Sequence, residues 1–219
     1  MSTKSVLVEC EDGKKQTVHG SSGILIANRY VIFTANILSH LIKLDGYENL
    51  PTRENSCLLS PHSLLTNSPT LNVVIPEKSR NEERHTYKRG RIRWAWISEN
   101  IRKSCERDLK DWTVDHESDH RVKELLPSLF VLDVDQEAEE DVHHFKLCLC
   151  NLLEEAMEVN VATGSNVVVK STPFGNRRFV DSYSQGIVSN VVGNEKCLIL
   201  SDAPTAPGAE GGGLYIKSR

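Results

Sequence analysis

The run VATGSNVVVKSTPFG, Val161 to Gly175, is followed by QGIVSN (Gln185 to Asn190), CLILSDA (Cys197 to Ala203) and PGAEGGGLY (Pro207 to Tyr215). The first three are dominated by short apolar and β-branched runs bounded by Gly, Pro, Ser or Asn, the pattern of strands separated by turns. The fourth, taken alone, is a glycine-rich hairpin, because glycine serves any turn that needs positive φ. Its central residue is Glu210. The order of the four segments carries more than any one of them, since a short motif gains meaning only from its context.

Upstream of this run the same texture repeats. SVLVEC, GILIA, RYVIFTA, NVVIP, RIRWAWI, LFVLDV and FKLCLC each read as a strand. Together with NVVVK, QGIVSNVV and CLILS they predict an all-β barrel or sandwich. A chain of 219 residues suits one such domain or two smaller lobes. Two polar segments interrupt the strands. Ser98 to Glu124 is mostly charged and reads as a long surface loop with a helical turn. Asp133 to Asp141 holds six carboxylates in nine residues, which repel one another and stay solvated, and reads as a linker between lobes. The division expected is residues 1–140 for a first barrel, with its charged insertion near 98–124, and 141–219 for a second.

Composition narrows the class. Hydrophobic residues are 39% and charged residues 26%, an ordinary globular balance. The net charge of −4 gives no whole-chain attraction to nucleic acid or anionic lipid. MSTKSVLVECEDGKK lacks a signal-length apolar run, and no stretch of 18 apolar residues suggests a membrane span, so an intracellular location is expected. Its six cysteines, Cys10, Cys57, Cys105, Cys148, Cys150 and Cys197, are then expected to be reduced.

The segment GSSGILIANRYVIFTAN, Gly20 to Asn36, resembles the trypsin-like and HtrA-like serine proteases, where such a pair of strands ends in T-A-A-H or T-N-x-H and the histidine is the general base. Thr34 and Ala35 match, but Ile37 fills the histidine slot. His40 lies three residues on, and a general base must reach its nucleophile to within about 3 Å, so His40 is not promoted to the role. The acid of such a triad opens a strand of the form D-x-A-x-L-x-V; SLFVLDV puts Ser128 there, and serine has no charge to stabilise an imidazolium. PGAEGGGLY then corresponds to the serine loop with Glu210 in the nucleophile slot. Gly208, Ala209, Glu210 and Gly211 form the oxyanion-hole-like loop, and the resemblance puts the Glu210 charge in or beside a nest of backbone amides. With Ile37, Ser128 and Glu210 in the three slots, no intact catalytic set is expected.

P-F-G, S-x-G-I-V-S-N, L-I-L-S-D-A and P-G-x-E-G-G-G-L-Y together resemble the non-catalytic N-terminal half of the peroxisomal leader peptide-processing proteases, the trypsin domain-containing proteins of peroxisomes. The resemblance implies a degenerate trypsin-like double β-barrel that precedes a catalytic half. It implies a role in trimming targeting peptides from imported enzymes, and a peroxisomal location. Its expected partners are the catalytic half or a sister chain, and peptide substrates. A trypsin-like second barrel continues past the serine loop for two strands and a helix, whereas this sequence ends YIKSR; an incomplete second barrel and a longer parent protein are therefore expected. The ending is K-S-R, not the S-K-L address.

YKRGRIRWAW, Tyr87 to Trp96, interleaves rings with Lys88, Arg89, Arg91 and Arg93, which suits a nucleic-acid surface but also a strand with apolar residues inward and arginines outward. The first reading supports a rival function, a stand-alone pseudoprotease scaffold for a protein or nucleic-acid partner. Asp141, His143, His144, Cys148 and Cys150 include metal-ligating types, but Cys-x-Cys on a strand fits no usual zinc spacing, so no metal or other cofactor is expected. Cys197 and Ser201 are the remaining candidates for residual nucleophilic chemistry.

Overall fold

A computed structural model describes residues 3–12, 17–39, 56–60, 65, 69–77, 84–110, 125–135 and 142–217. His40 and Asp141 lie outside them, as do residues 111–124 of the charged insertion and 136–141 of the acidic stretch.

Seven strands build the first module: β1 (Thr3–Asp12), β2 (Thr17–Ile26), β3 (Tyr30–Thr34), β4 (Ser56–Leu59), β5 (Thr70–Glu77), β6 (Arg84–Ser98) and β7 (Ser128–Asp133). They pair antiparallel in the order β4-β6-β5-β1-β2-β3-β7, and a further β6–β7 ladder closes six of them into a barrel with β4 outside it on β6. Closure is possible because the 15-residue β6 serves two partners in succession, Arg84 to Arg91 against β5 and Arg91 to Ile97 against β7. Alternation decides what faces in: Val6, Val8 and Cys10 of β1 join Phe33, Leu71, Val73, Ile92, Phe130 and Leu132 in one buried cluster. In β1 the opposite face is sealed too, through Ser5, Leu7 and Glu9, because β1 lies against the second module. That is why SVLVEC lacks alternation.

The second module is a four-stranded antiparallel sheet, β8 (Asn166–Ser171), β9 (Ser182–Val192), β10 (Leu198–Ser201) and β11 (Gly213–Ile216), in the order β10-β9-β8-β11. Its core is Val167, Val169, Val188 and Ala203. β10 and β11 do not pair with each other among the described residues. The architecture is thus the expected all-β double-barrel class, one barrel closed and the other represented by an open sheet.

Two sequence expectations fail. FKLCLC is not a strand: Val142–Met157 forms the 16-residue helix α2. Its apolar residues Phe145, Cys148, Leu149 and Leu152 recur at helical spacing, and the Leu-rich run to Met157 lacks the β-branching that would favour a strand. Cys148 and Cys150 therefore point apart, the first buried and the second exposed. The charged insertion also begins with a regular ten-residue helix, α1 (Glu99–Asp108), where a helical turn within a loop was expected. Ser98 caps it, its hydroxyl accepting from Ile101 N.

Asp133 corrects the linker reading in part, since it ends β7 and its side chain is 2% exposed. The Arg29 guanidinium holds it from two nitrogens, at 3.1 and 2.9 Å, with Arg93 Nε at 3.6 Å from the same carboxylate. The Asp133 carboxylate in turn drives the Arg29 guanidinium well above its usual range.

Candidate functional site

Three glycines meet where the modules touch. A side chain on Gly20 would stand 2.6 Å from the carbonyl oxygen of Gly175. Gly175, at φ +55, faces back onto Gly20, and a side chain on Gly208, at φ +88, would strike the Gly175 amide. G-S-S-G, P-F-G and P-G are thus one junction in which backbone lies on backbone.

Ser22 fastens it. Its amide and hydroxyl both donate to the Gly208 carbonyl, at 3.0 and 2.7 Å, while the same hydroxyl oxygen accepts from Thr172 N at 2.7 Å. Ser21 Oγ donates to the Glu210 carbonyl at 2.6 Å. The loop from Pro207 to Gly213 is therefore set by β2 of the first barrel as much as by its own glycines. Glu210 is exposed, and its carboxylate turns back into the loop: Gly208 N donates to Oε2 at 2.6 Å. With Gly208 and Gly211 both left-handed, at φ +88 and +86, the turn offers a backbone amide to an anion, and Glu210 supplies that anion itself.

The positions compared above with triad slots lie on segments that converge here. A side chain at Gly211 would meet the Ser22 carbonyl and approach Thr34 N to 3.3 Å. Thr34 ends β3, and the helical turn Ala35–Leu38 that follows buries Ile37 in the barrel. Thr34 also pairs with Leu129, next to Ser128, which is 1% exposed and lies opposite Ile97. At the three positions stand a hydrocarbon buried in the barrel core, a hydroxyl-bearing residue buried opposite Ile97 and a carboxylate that accepts from a backbone amide of its own loop.

The other candidates are dispersed. Cys197 Sγ sits against α1, 3.3 Å from Ser104 Oγ and 3.6 Å from the Asn100 carbonyl. Ser201 Oγ accepts from Ala203 N at 3.1 Å. On α2, Cys148 Sγ lies 3.6 Å from His144 Nε2, whose ring partner on the other side is the Tyr30 hydroxyl at 3.4 Å. Among the described residues no three His, Cys, Asp or Glu converge as metal ligands. Along β6, Tyr87, Lys88, Arg89 and Arg91 are exposed, whereas Arg93 turns to Asp133 and Trp94 is buried.

Sequence reading missed one contact set. Arg177, beside the P-F-G turn, reaches across to the first barrel, where its Nε and Nη2 donate to buried Glu9 at 2.7 and 2.8 Å and its guanidinium lies 5.2 Å over the ring of Tyr87. The hydrogen bonds to the Glu9 carboxylate, with its charge, raise Arg177 above the ordinary guanidinium range. A lone acid within the apolar run SVLVEC was the available signal.

The fold is that of an all-β double-barrel protein. No family model matches the chain, and no curated protein matches it. Among solved structures the chain is similar to the Rv3671c protease from M. tuberculosis in its active form, at 12% identity and a TM-score of 0.39. The match covers 97% of this chain and 65% of that one, so the chain spans just under two thirds of that protease's length. Among the described residues no helix is long and apolar enough to cross a membrane.

Proposed function

We propose that this chain is the non-catalytic, trypsin-like portion of a peroxisomal serine-type endopeptidase that trims targeting peptides from imported enzymes. In this reading it acts as a structural or regulatory partner of a catalytic half. The observation that carries it is the Glu210 carboxylate on the Gly208 amide, at the loop position where the resembling proteases carry their nucleophile. A side chain that satisfies the loop from within, with Ile37 and Ser128 in the other two slots of the resemblance, suits a fold kept for binding rather than for acyl transfer.

The test is the mass and company of the endogenous protein. An immunoblot band well above 24.5 kDa in purified peroxisomes, or a larger precursor cut down on maturation, is expected, with an intact serine protease domain co-purifying. A stand-alone band at 24.5 kDa outside peroxisomes, without such a domain, overturns the proposal. The rival, a scaffold for nucleic acid, draws on exposed Tyr87, Lys88, Arg89 and Arg91. It requires a salt-dependent affinity for single-stranded RNA or DNA that vanishes when Arg89 and Arg91 are replaced.

A further inference from the structure

Helix α2 is two different surfaces joined end to end. Its first two turns are docked: Phe145, 1% exposed, stacks on Trp94 at 4.5 Å and meets Tyr30 edge-on at 5.2 Å, with Val142 and Leu149 packed around it. The last two turns continue the apolar stripe without that cover. Leu153 is 41% exposed and Met157 83%, one helical turn apart, with Leu149 a turn before them.

Charge on the same turns is one-sided. Glu154, Glu155 and Glu158 crowd the C-terminal end, and the last turn carries no basic residue. This is the wrong sign for a helix terminus, where the backbone carbonyls already present a partial negative charge and cations are favoured. An exposed thioether and leucine beside an excess of negative charge call for a ligand that brings both apolar and positive groups. A ridge at i and i+4 is the surface that a second helix packs against.

We infer that the C-terminal half of α2, through Leu153 and Met157 with Glu154 and Glu158 beside them, is a docking surface for a cationic amphipathic helix of a partner protein. The partner sets its apolar residues on the stripe and its lysines or arginines against the glutamates and the carbonyl end of α2. The inference does not rest on the proposed protease relationship, and its test is independent of endogenous mass or location.

The probe is a fluorescein-labelled 18-residue peptide of Leu and Lys in an amphipathic helical pattern, titrated with the full chain and read by anisotropy. Binding is expected, weakening as salt rises, with no binding of the matching Leu and Glu peptide. The double variant Leu153→Asp/Met157→Asp is expected to lose at least tenfold in affinity. Both positions are exposed, and circular dichroism checks that its helix content is unchanged. Glu154→Lys/Glu158→Lys is a second variant, expected to reject the Lys peptide and accept the Glu one. The inference is overturned by no binding, by equal binding of both peptides, or by undiminished binding to the Leu153/Met157 variant. It is also overturned if the chain forms a dimer in sedimentation that shields a cysteine placed at Met157, since the occupant is then a second copy.

Discussion

Asp133 and Gly208 show how much a single position can decide. Asp133 faces two guanidinium groups from within the barrel wall, so Asp133→Asn leaves Arg29 without its carboxylate. Breaking a buried pair from one side costs about 3–5 kcal/mol, and a matching fall in the urea unfolding free energy is expected. Gly208→Ala combines a left-handed backbone with a collision at Gly175, and is expected to lose about 1–3 kcal/mol or more in the same assay. Glu99 gives the pH dependence. The hydrogen-bonded guanidinium of Arg102, with Lys103 nearby, holds its carboxyl below the usual value of 4.5. A depressed folded pKa contributes stability that is present above about 4.5 and lost as pH falls through the folded value. Unfolding titrations between pH 7 and pH 3 should therefore show a smaller acid loss for Glu99→Gln than for the unaltered chain. The loop around Glu210 was legible as a glycine turn with an anion in it. That the carboxylate folds back onto Gly208 N was not, because a side-chain rotamer leaves no trace in residue spacing.

At the scale of elements, legibility followed burial. RYVIFTA, NVVIP and LFVLDV lie in the barrel wall as β3, β5 and β7, since β-branched runs with turn residues at both ends have few other ways to be buried. β4 and β11 went unread: four residues are too few to display a period, and in β11 the apolar run LYI is hidden behind three glycines. FKLCLC failed for the opposite reason, because a short alternating window inside a longer helical pattern satisfies both periods. What fixes α2 is a tertiary contact, the aromatic stack of Phe145 on Trp94, and no local rule reveals it. Phe145→Ala removes a fully buried ring, for which about 3–5 kcal/mol is the usual cost. We expect it to detach α2 while leaving the barrel closed. Hydrogen exchange should then show amides 145–157 unprotected with β1 and β5 still protected; equal loss in the strands would mean that α2 is an integral wall of the barrel.

For the whole molecule the question is whether two sheets make one cooperative unit. Their individual cores are separate, the four residues Val167, Val169, Val188 and Ala203 on one side and the large cluster from Val6 to Val134 on the other. A core of four small residues is too slight to stand alone, so the second module draws stability from the junction. Polar attachments that supply it include Ser22 to Gly208 and Thr172, Ser21 to the Glu210 carbonyl, Arg177 to Glu9, and Asn100 Nδ2 donating to Glu195 at 2.9 Å. Ser22 bears most, because its hydroxyl is wholly buried and satisfies a carbonyl and an amide at once. Ser22→Ala leaves Thr172 N without that acceptor, a loss of about 1–3 kcal/mol for a buried donor. Arg177→Ala adds the loss of the partner of buried Glu9. The unaltered chain is expected to unfold in urea in one transition, seen alike by Trp fluorescence from the first module and by exchange of β8 and β9 amides. In the double variant the β8 and β9 amides should open at lower urea than the tryptophans respond. Coincident transitions in that variant would show that the two sheets are held together by apolar contact across β1 and β8, with the polar clasp contributing little.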